Sequence, residues 1–252
     1  MKVSIITVVF NCNNTIEYAI ESVMNQSYKN IEYIVIDGAS TDGTVNTIGS
    51  YSNYIDTFIS EPDSGLYDAM NKGIEKATGD IIGFINADDV INSADCIELI
   101  VEKFKSTGAD VVYGDKIYVD QKNTSKVVRV WKSGTFNRNK YKTGWMTPHL
   151  STYIKKDLYD KYGTFRRDFT IAADYELMLR FIYKYKAKTE YIPITIAKMR
   201  AGGISNGSLK NIVISNFEVY KSWKVNNLRI SPLIAIRKPL KKLNQFFKRI
   251  KE

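Results

Sequence analysis

Apolar residues in the first hundred positions alternate between two spacings. Val3 to Phe10 is an apolar, mostly β-branched run, which predicts a buried strand. Ile16, Ala19, Ile20, Val23 and Met24 then recur at helical spacing and predict an amphipathic helix, with Asn14 or Thr15 as its N-cap. Further strands are predicted over Ile31 to Ile36, ending in Asp37, over Ile55 to Ser60 and over residues 81–86. Leu66, Ala69, Met70, Gly73, Ile74 and Ala77 mark a second amphipathic helix, and Ile97, Ile100, Val101 and Phe104 another that Ser93 can cap. Alternation of this kind implies an α/β fold with a mostly parallel sheet and helices on both faces.

After Asp110 the pattern changes. Val111 to Gly114, Lys116 to Val119 and Lys126 to Trp131 read as strands, the last two joined through Asp120–Asn123 as a hairpin. A short helix is predicted over Lys155–Tyr162, another opening at Ala172, strands over Lys188–Ile192 and Thr195–Met199, a mobile loop over 201–207 and a helix over 208–227. This divides the chain into residues 1–110, 111–207 and 208–252.

The chemistry gathers at the predicted strand ends. Ile81-Ile82-Gly83-Phe84-Ile85-Asn86-Ala87-Asp88-Asp89 is an apolar strand that stops in adjacent carboxylates. In open α/β sheets ligands bind at the carboxyl ends of strands. Hard oxygen donors there suit Mg²⁺ or Mn²⁺ bridging a diphosphate. Asp89 is either part of that site or a cap for the next helix. The first strand runs into Phe10-Asn11-Cys12-Asn13-Asn14, with no Gly-x-Gly-x-x-Gly turn, and no Walker A loop occurs. A nucleotide's phosphates would therefore fall to a metal and side chains, and a nucleotidyltransferase, which normally needs a glycine-rich basic loop there, is disfavoured.

Composition narrows the class further. At 252 residues and 44% hydrophobic content, the chain fits one large domain or a domain with a tail. Cys12 and Cys96 lack any framework or zinc-ligand spacing and fit a reducing compartment. Met1 to Thr7 reads as a first strand, not a signal peptide, and no apolar run reaches membrane-helix length. The net charge is +9, of which +7 falls within residues 229–252. The body is therefore no basic nucleic-acid binder. The tail, where Leu233, Ile236, Leu240, Leu243, Phe246 and Phe247 interleave with cations, suits an interfacial helix on an anionic membrane or a helix packed on the body.

Ser4-Ile5-Ile6-Thr7-Val8-Val9-Phe10-Asn11, Ile36-Asp37-Gly38-Ala39-Ser40-Thr41-Asp42-Gly43-Thr44 and Asn86-Ala87-Asp88-Asp89 resemble the motifs of family 2 inverting glycosyltransferases, which have the GT-A fold. Glu61-Pro62-Asp63-Ser64-Gly65-Leu66-Tyr67-Asp68-Ala69-Met70-Asn71-Lys72-Gly73 and Ala173-Asp174-Tyr175-Glu176-Leu177 resemble the subgroup that builds bacterial surface polysaccharide repeat units, such as O-antigen, capsule or exopolysaccharide, on a lipid carrier. The resemblance spans about residues 3–200. It implies that Thr7, Val9 and Asn11 line a nucleotide pocket and that Asp37 accepts from a uracil N–H. Asp68 and Lys72 would edge the donor site. Asn86-Ala87-Asp88 stands where the family has Asp-x-Asp, so the Asn leaves Asp88 as the main metal ligand. Asp174 would be the catalytic base.

His149 is a candidate second metal ligand or acceptor contact. Trp145 is a candidate stacking residue, and Arg200 a candidate phosphate partner when its loop closes. The implied cofactor is a divalent metal (Mn²⁺ or Mg²⁺). The implied partners are a nucleotide-sugar donor, a polyprenyl-diphosphate-linked saccharide acceptor and an anionic membrane surface, on the inner face of the cytoplasmic membrane. A non-catalytic nucleotide-sugar or lipid-carrier binding subunit is the alternative.

Overall fold

In the computed structural model, which describes residues 1–202 and 209–230, the apolar runs become strands and the periodic stretches helices. In chain order these are β1 (Val3–Val9), α1 (Ile16–Met24), β2 (Ile31–Asp37), α2 (Thr44–Gly49), β3 (Thr57–Ser60), α3 (Leu66–Lys76) and β4 (Ile81–Asn86). There follow β5 (Val90–Ile91), α4 (Cys96–Thr107), β6 (Val111–Val119), β7 (Val127–Trp131), β8 (Thr152–Lys155), α5 (Lys156–Tyr162), α6 (Ala173–Met178), β9 (Thr189–Arg200) and α7 (Leu209–Val225).

Every residue of β1 is buried, as expected of a strand covered on both faces. Its alternating side chains divide between two cores. Val3, Ile5 and Val9 pack with Ile16 and Ile20 of α1 and Ile97 and Phe104 of α4. Ile6 and Val8 pack with Met70 and Ile74 of α3 and Leu177 of α6. The strands form one mixed sheet in the order β3-β2-β1-β4-β8-β6-β9-β5, with β7 on β6. β1, β2, β3 and β4 are parallel. β8 is antiparallel to both β4 and β6 and so joins the first half of the sheet to the second. The β4–β8 junction is tight: a Cβ on Gly83 would lie 2.2 Å from the Tyr153 ring.

Several boundaries differ from the sequence expectation. The two strands predicted over 111–119 are one, β6, and those over 188–199 are one, β9. Pro193 does not interrupt β9 because the β6–β9 register slips between Tyr113 and Asp115, at a bulge where proline's missing N–H costs no ladder bond. Gly114 is required opposite it, since a Cβ there would meet the Ile194 carbonyl oxygen at 2.8 Å. The helix opening near Ala172 gives way after Met178 to a π-helical turn, Leu179–Lys184. Thr15 stands at the N-cap of α1 but bonds no helix N–H, and Ser93 bonds the Asp95 carboxylate at 2.6 Å instead of capping α4. Most of the 201–207 loop and the basic tail beyond residue 230 lie outside the described residues. Among those described, no helix is long and apolar enough to cross a membrane.

The amino ends of the strands are held by Glu32. Its buried carboxylate accepts from Lys2 Nζ at 2.7 Å, Ser4 Oγ at 2.5 Å, Thr78 Oγ1 at 2.5 Å and Thr78 N at 2.8 Å. Burial alone would raise its pKa, but the donors outweigh burial and hold it at about 2. A folded pKa below the unfolded value of about 4.3 means stability that is present above that value and lost as pH falls toward 2. Urea unfolding should therefore show Glu32→Gln less stable than the parent chain at pH 6, with the gap narrowing between pH 4 and 2. A gap independent of pH would contradict this account.

Candidate active site

The turn leaving β4 sorts two adjacent carboxylates. Asp89 N donates to Asn86 O at 3.1 Å and closes the turn. The Asp89 carboxylate is buried and works inward, accepting from Asn86 Nδ2 at 3.1 Å and from Arg200 N at 3.1 Å. Burial, with the charge of Asp88 added, pushes its pKa up to about 7. Asp89 thus clamps the end of β4 to the end of β9. Asp88 faces out, and no described residue donates a hydrogen bond to it. Ala87 is core, while Asn86 Oδ1 is buried without a partner. Among the described residues no three ligating side chains gather around a point. An exposed carboxylate beside an orphaned amide oxygen still fits a divalent ion that takes its remaining ligands from a diphosphate and water.

At the ends of β1 and β2 the expected pocket residues divide differently. Thr7 is fully buried and bonds Tyr33 Oη at 3.0 Å, so its hydroxyl supports the sheet and lines no cleft. Val9 is a core residue whose carbonyl accepts from Gly38 N at 2.9 Å. Asp37 is fully buried and anchors the following loop, accepting from Ser40 N at 2.9 Å, Ser60 Oγ at 2.7 Å and Ser40 Oγ. Asn11, exposed and at φ 51°, ties the loop by accepting from Thr41 N at 2.9 Å. The surface at this corner is made by Phe10, Gly38 and Asp63: a Cβ on Gly38 would lie 2.6 Å from Asp63 Oδ2 and 3.4 Å from the Phe10 ring. Sequence reading assigned Asp63 no role; the Asp-Ser-Gly turn it opens, with Gly65 N bonded to it at 2.7 Å, was the available signal.

On α3, Asp68 and Lys72 share a face as the i, i+4 spacing implied, at 3.9 Å. Their closer partners lie elsewhere. Asp68 pairs with Arg167 at 2.9 Å, and Lys72 with Glu61 at 2.7 Å, an interaction that raises the Lys72 pKa. Asp68 and Arg167, with Tyr67 and Phe169, border a cavity of about 160 Å³.

Asp174 lies in the first turn of α6, half-buried, with one described hydrogen bond, from Tyr175 N at 2.7 Å. The loop that delivers it is held from α7: Glu218 accepts from Thr170 N, Ile171 N and Ala172 N at 2.7, 2.9 and 2.8 Å. Trp223 Nε1 also bonds Tyr175 Oη at 3.0 Å. Neither residue was singled out from sequence, because no local spacing pairs position 218 with position 171. His149 lies between Phe84 of β4 and Phe165, at ring separations of 5.2 and 5.5 Å, with Nε2 unpartnered. Burial lowers its pKa, Asp174 pulls the other way and Lys116 adds to the lowering. It packs in the aromatic layer between β4 and Phe165, and among the described residues it completes no metal cluster with Asp88. Trp145 packs edge-on against Tyr113 and Tyr141, partly buried. Arg200 holds Gln121 O at 2.7 Å and lies over Tyr18.

The profile of glycosyl transferase family 2 matches residues 4–168. The chain belongs to this family. An uncharacterized glycosyltransferase of Mycobacterium tuberculosis, Rv1514c, is 34% identical over 181 residues, covering 71% of this chain and 68% of that one. A PGL/p-HBAD biosynthesis glycosyltransferase of Mycobacterium bovis is 26% identical over 208 residues, covering 81% and 78%. Among solved structures, S. aureus TarS 1-349 in complex with UDP-GlcNAc superposes with a TM-score of 0.73 at 18% identity, covering 98% of this chain and 73% of that one. The mannosyltransferase PcManGT of Pyrobaculum calidifontis, in complex with GDP-Man and Mn²⁺, gives 0.67 at 18% identity, covering 94% and 68%. At that identity the likeness establishes the fold, which is GT-A.

The Glu218 clamp gives a direct test of how this glycosyltransferase positions Asp174. Glu218→Ala leaves three N–H groups without their acceptor and should cost roughly 2–4 kcal/mol of unfolding free energy. Amide exchange at residues 170–172 should accelerate in the same variant. Unchanged protection at those amides would show that the loop is held by other contacts.

Proposed function

We propose that this chain is a metal-dependent inverting hexosyltransferase, moving a hexose or N-acetylhexosamine from a nucleotide-sugar, with UDP as the favoured nucleotide, to a lipid-linked saccharide. The observation that carries the reading is the exposed Asp88 carboxylate where the buried strand β4 leaves the sheet, with Asn86 Oδ1 buried and unpartnered in the same turn. Asp174, half-buried in the first turn of α6, supplies a second carboxylate from a different element.

Asp88, with Asn86 Oδ1 beside it, would hold the divalent ion. When bound, the ion supplies stabilisation of the charge that develops on the diphosphate leaving group. The chain's own residues do the rest. Asp174 accepts the proton of the acceptor hydroxyl as that oxygen attacks the anomeric carbon from the face opposite the departing diphosphate. One base suffices for a single in-line displacement, and no covalent nucleophile is needed. Asn11, Gly38 and Asp63 form the corner where a nucleoside would lie, with Asp37 and Thr7 supporting it from beneath. Mn²⁺ with GDP-Man in PcManGT and UDP-GlcNAc in TarS support a metal and a nucleotide-sugar here. The lipid-linked acceptor rests on the Glu61–Gly73 and Ala173–Leu177 motifs. The +7 charge of residues 229–252 suits docking on an anionic membrane from the cytoplasmic side.

Mn²⁺-dependent thermal shifts across UDP-, GDP- and dTDP-sugars should single out one donor, and Asp88→Ala should abolish that shift. Asp174→Asn should keep the donor shift and lower turnover by about 10²–10⁴-fold. NMR of the product should show the donor's anomeric configuration inverted; retention would sink the single-base mechanism. Flotation of the full chain with anionic liposomes, but not neutral ones, is expected, and failure to float would remove the membrane part of the reading.

A further inference from the structure

β6 shifts its register against β9 around Gly114, and its last residues pair with β7 on one side and β9 on the other. Lys116 stands opposite Trp131, and Tyr118 opposite Arg129, so the four side chains form a square on one face of the hairpin. Lys116 Nζ lies 4.9 Å from the Tyr118 ring and 4.8 Å from the Trp131 ring. The Arg129 guanidinium lies 4.7 and 5.7 Å from the same two rings. Two cations thus share one pair of aromatic faces.

Lys116 is only 7% exposed. Its sole described hydrogen bond goes to Met199 Sδ at 3.1 Å, and a thioether is a weak acceptor. No carboxylate among the described residues lies within ion-pair distance of it. The neighbouring Asp115 accepts instead from Ser133 N at 2.7 Å and Tyr191 Oη at 2.9 Å. A buried ammonium without an anion is costly, and ring faces offset only part of that cost. The position of the group says what would complete it. Lys116 pairs with Ala197 of β9, whose other neighbour is Ile91 of β5, two residues after Asp89. It therefore stands two strands from the turn whose carboxylate would hold a metal.

We propose that Lys116 and Arg129 form an oxyanion site for a substrate diphosphate, distinct from Asp88. The inference rests on the glycosyltransferase reading for the identity of the ligand, but its test reads binding and needs no turnover. A phosphate oxygen would replace Met199 Sδ as the partner of the ammonium, giving it a charge-assisted hydrogen bond in a dry setting. The diphosphate has two sources, the nucleotide of the donor and the lipid carrier of the acceptor, and both present the same group.

The experiment is titration of the full chain with inorganic pyrophosphate, UDP and farnesyl diphosphate in the presence of a chelator, followed by calorimetry and thermal shift. Pyrophosphate should bind the parent chain and Asp88→Ala alike. Lys116→Met should weaken that binding about tenfold or more, and Lys116→Arg should restore much of it. Without anion, Lys116→Met should melt at the same temperature or higher, because an uncompensated buried charge has gone. A parallel loss of UDP affinity in Lys116→Met assigns the site to the donor; a loss confined to farnesyl diphosphate assigns it to the acceptor. Pyrophosphate binding that is absent in the parent chain, or unchanged in Lys116→Met, would overturn the proposal. So would a lower melting temperature in Lys116→Met with an intact anion response. None of these outcomes depends on the Mn²⁺-dependent donor shift, whose failure would bear on the glycosyltransferase assignment instead.

Discussion

The burial of β1 throughout, and of β4 up to its last residue, is the constraint on which the rest of the site depends. A strand covered on both faces can carry no polar side chain along its length without a partner, so its chemistry emerges where it leaves the sheet. Thr7 illustrates the rule, being the one hydroxyl in mid-β1 that finds Tyr33 across the ladder. Asp37 and Asp88 illustrate its consequence, since both stand at the carboxyl ends of the two parallel strands that flank β1. The antiparallel β8 then brings a second set of elements against that edge, and with them His149 and Asp174.

Acidic side chains here fall into two populations with different physics. Glu32, Asp37, Asp89 and Glu218 are buried and accept two or more hydrogen bonds each, so they fix turns and loops. Asp88 is exposed, and Asp174 is half-buried with a single described bond. Preorganisation is divided accordingly: the inward group holds the outward group in place, and the outward group remains available to a ligand. Asp89 and Asp88 show both behaviours in adjacent residues.

Sequence patterning reached most of the scaffold. The apolar run of residues 81–86, the helical spacing of residues 16–24 and the carboxylates at strand ends were all readable locally, because each depends on neighbours within a few positions. Errors arose where a distant partner decided the outcome. Lys188–Ile192 and Thr195–Met199 read as two strands, and the register slip of β6 opposite Pro193 shows how they run as one. That Ser60, 23 residues away, donates to Asp37 beside Ser40 was likewise invisible. Glu218 carries no local signal, since the N–H groups that donate to it lie 46 to 48 residues earlier in the chain.

By itself the sequence determined the alternation of strands and helices over the first hundred residues and the family; the joining strand β8 and the short β5 carry too few residues to show a period. Periodicity and motif spacing are properties of contiguous residues, and burial follows from them. Only the tertiary structure decided which carboxylates turn inward, that His149 packs between Phe84 of β4 and Phe165, and that Lys116 is buried with no carboxylate of the described residues in ion-pair distance. Those outcomes depend on which side chains meet across the sheet, and hydrogen-bond satisfaction in a dry interior is settled by partners far apart in the chain.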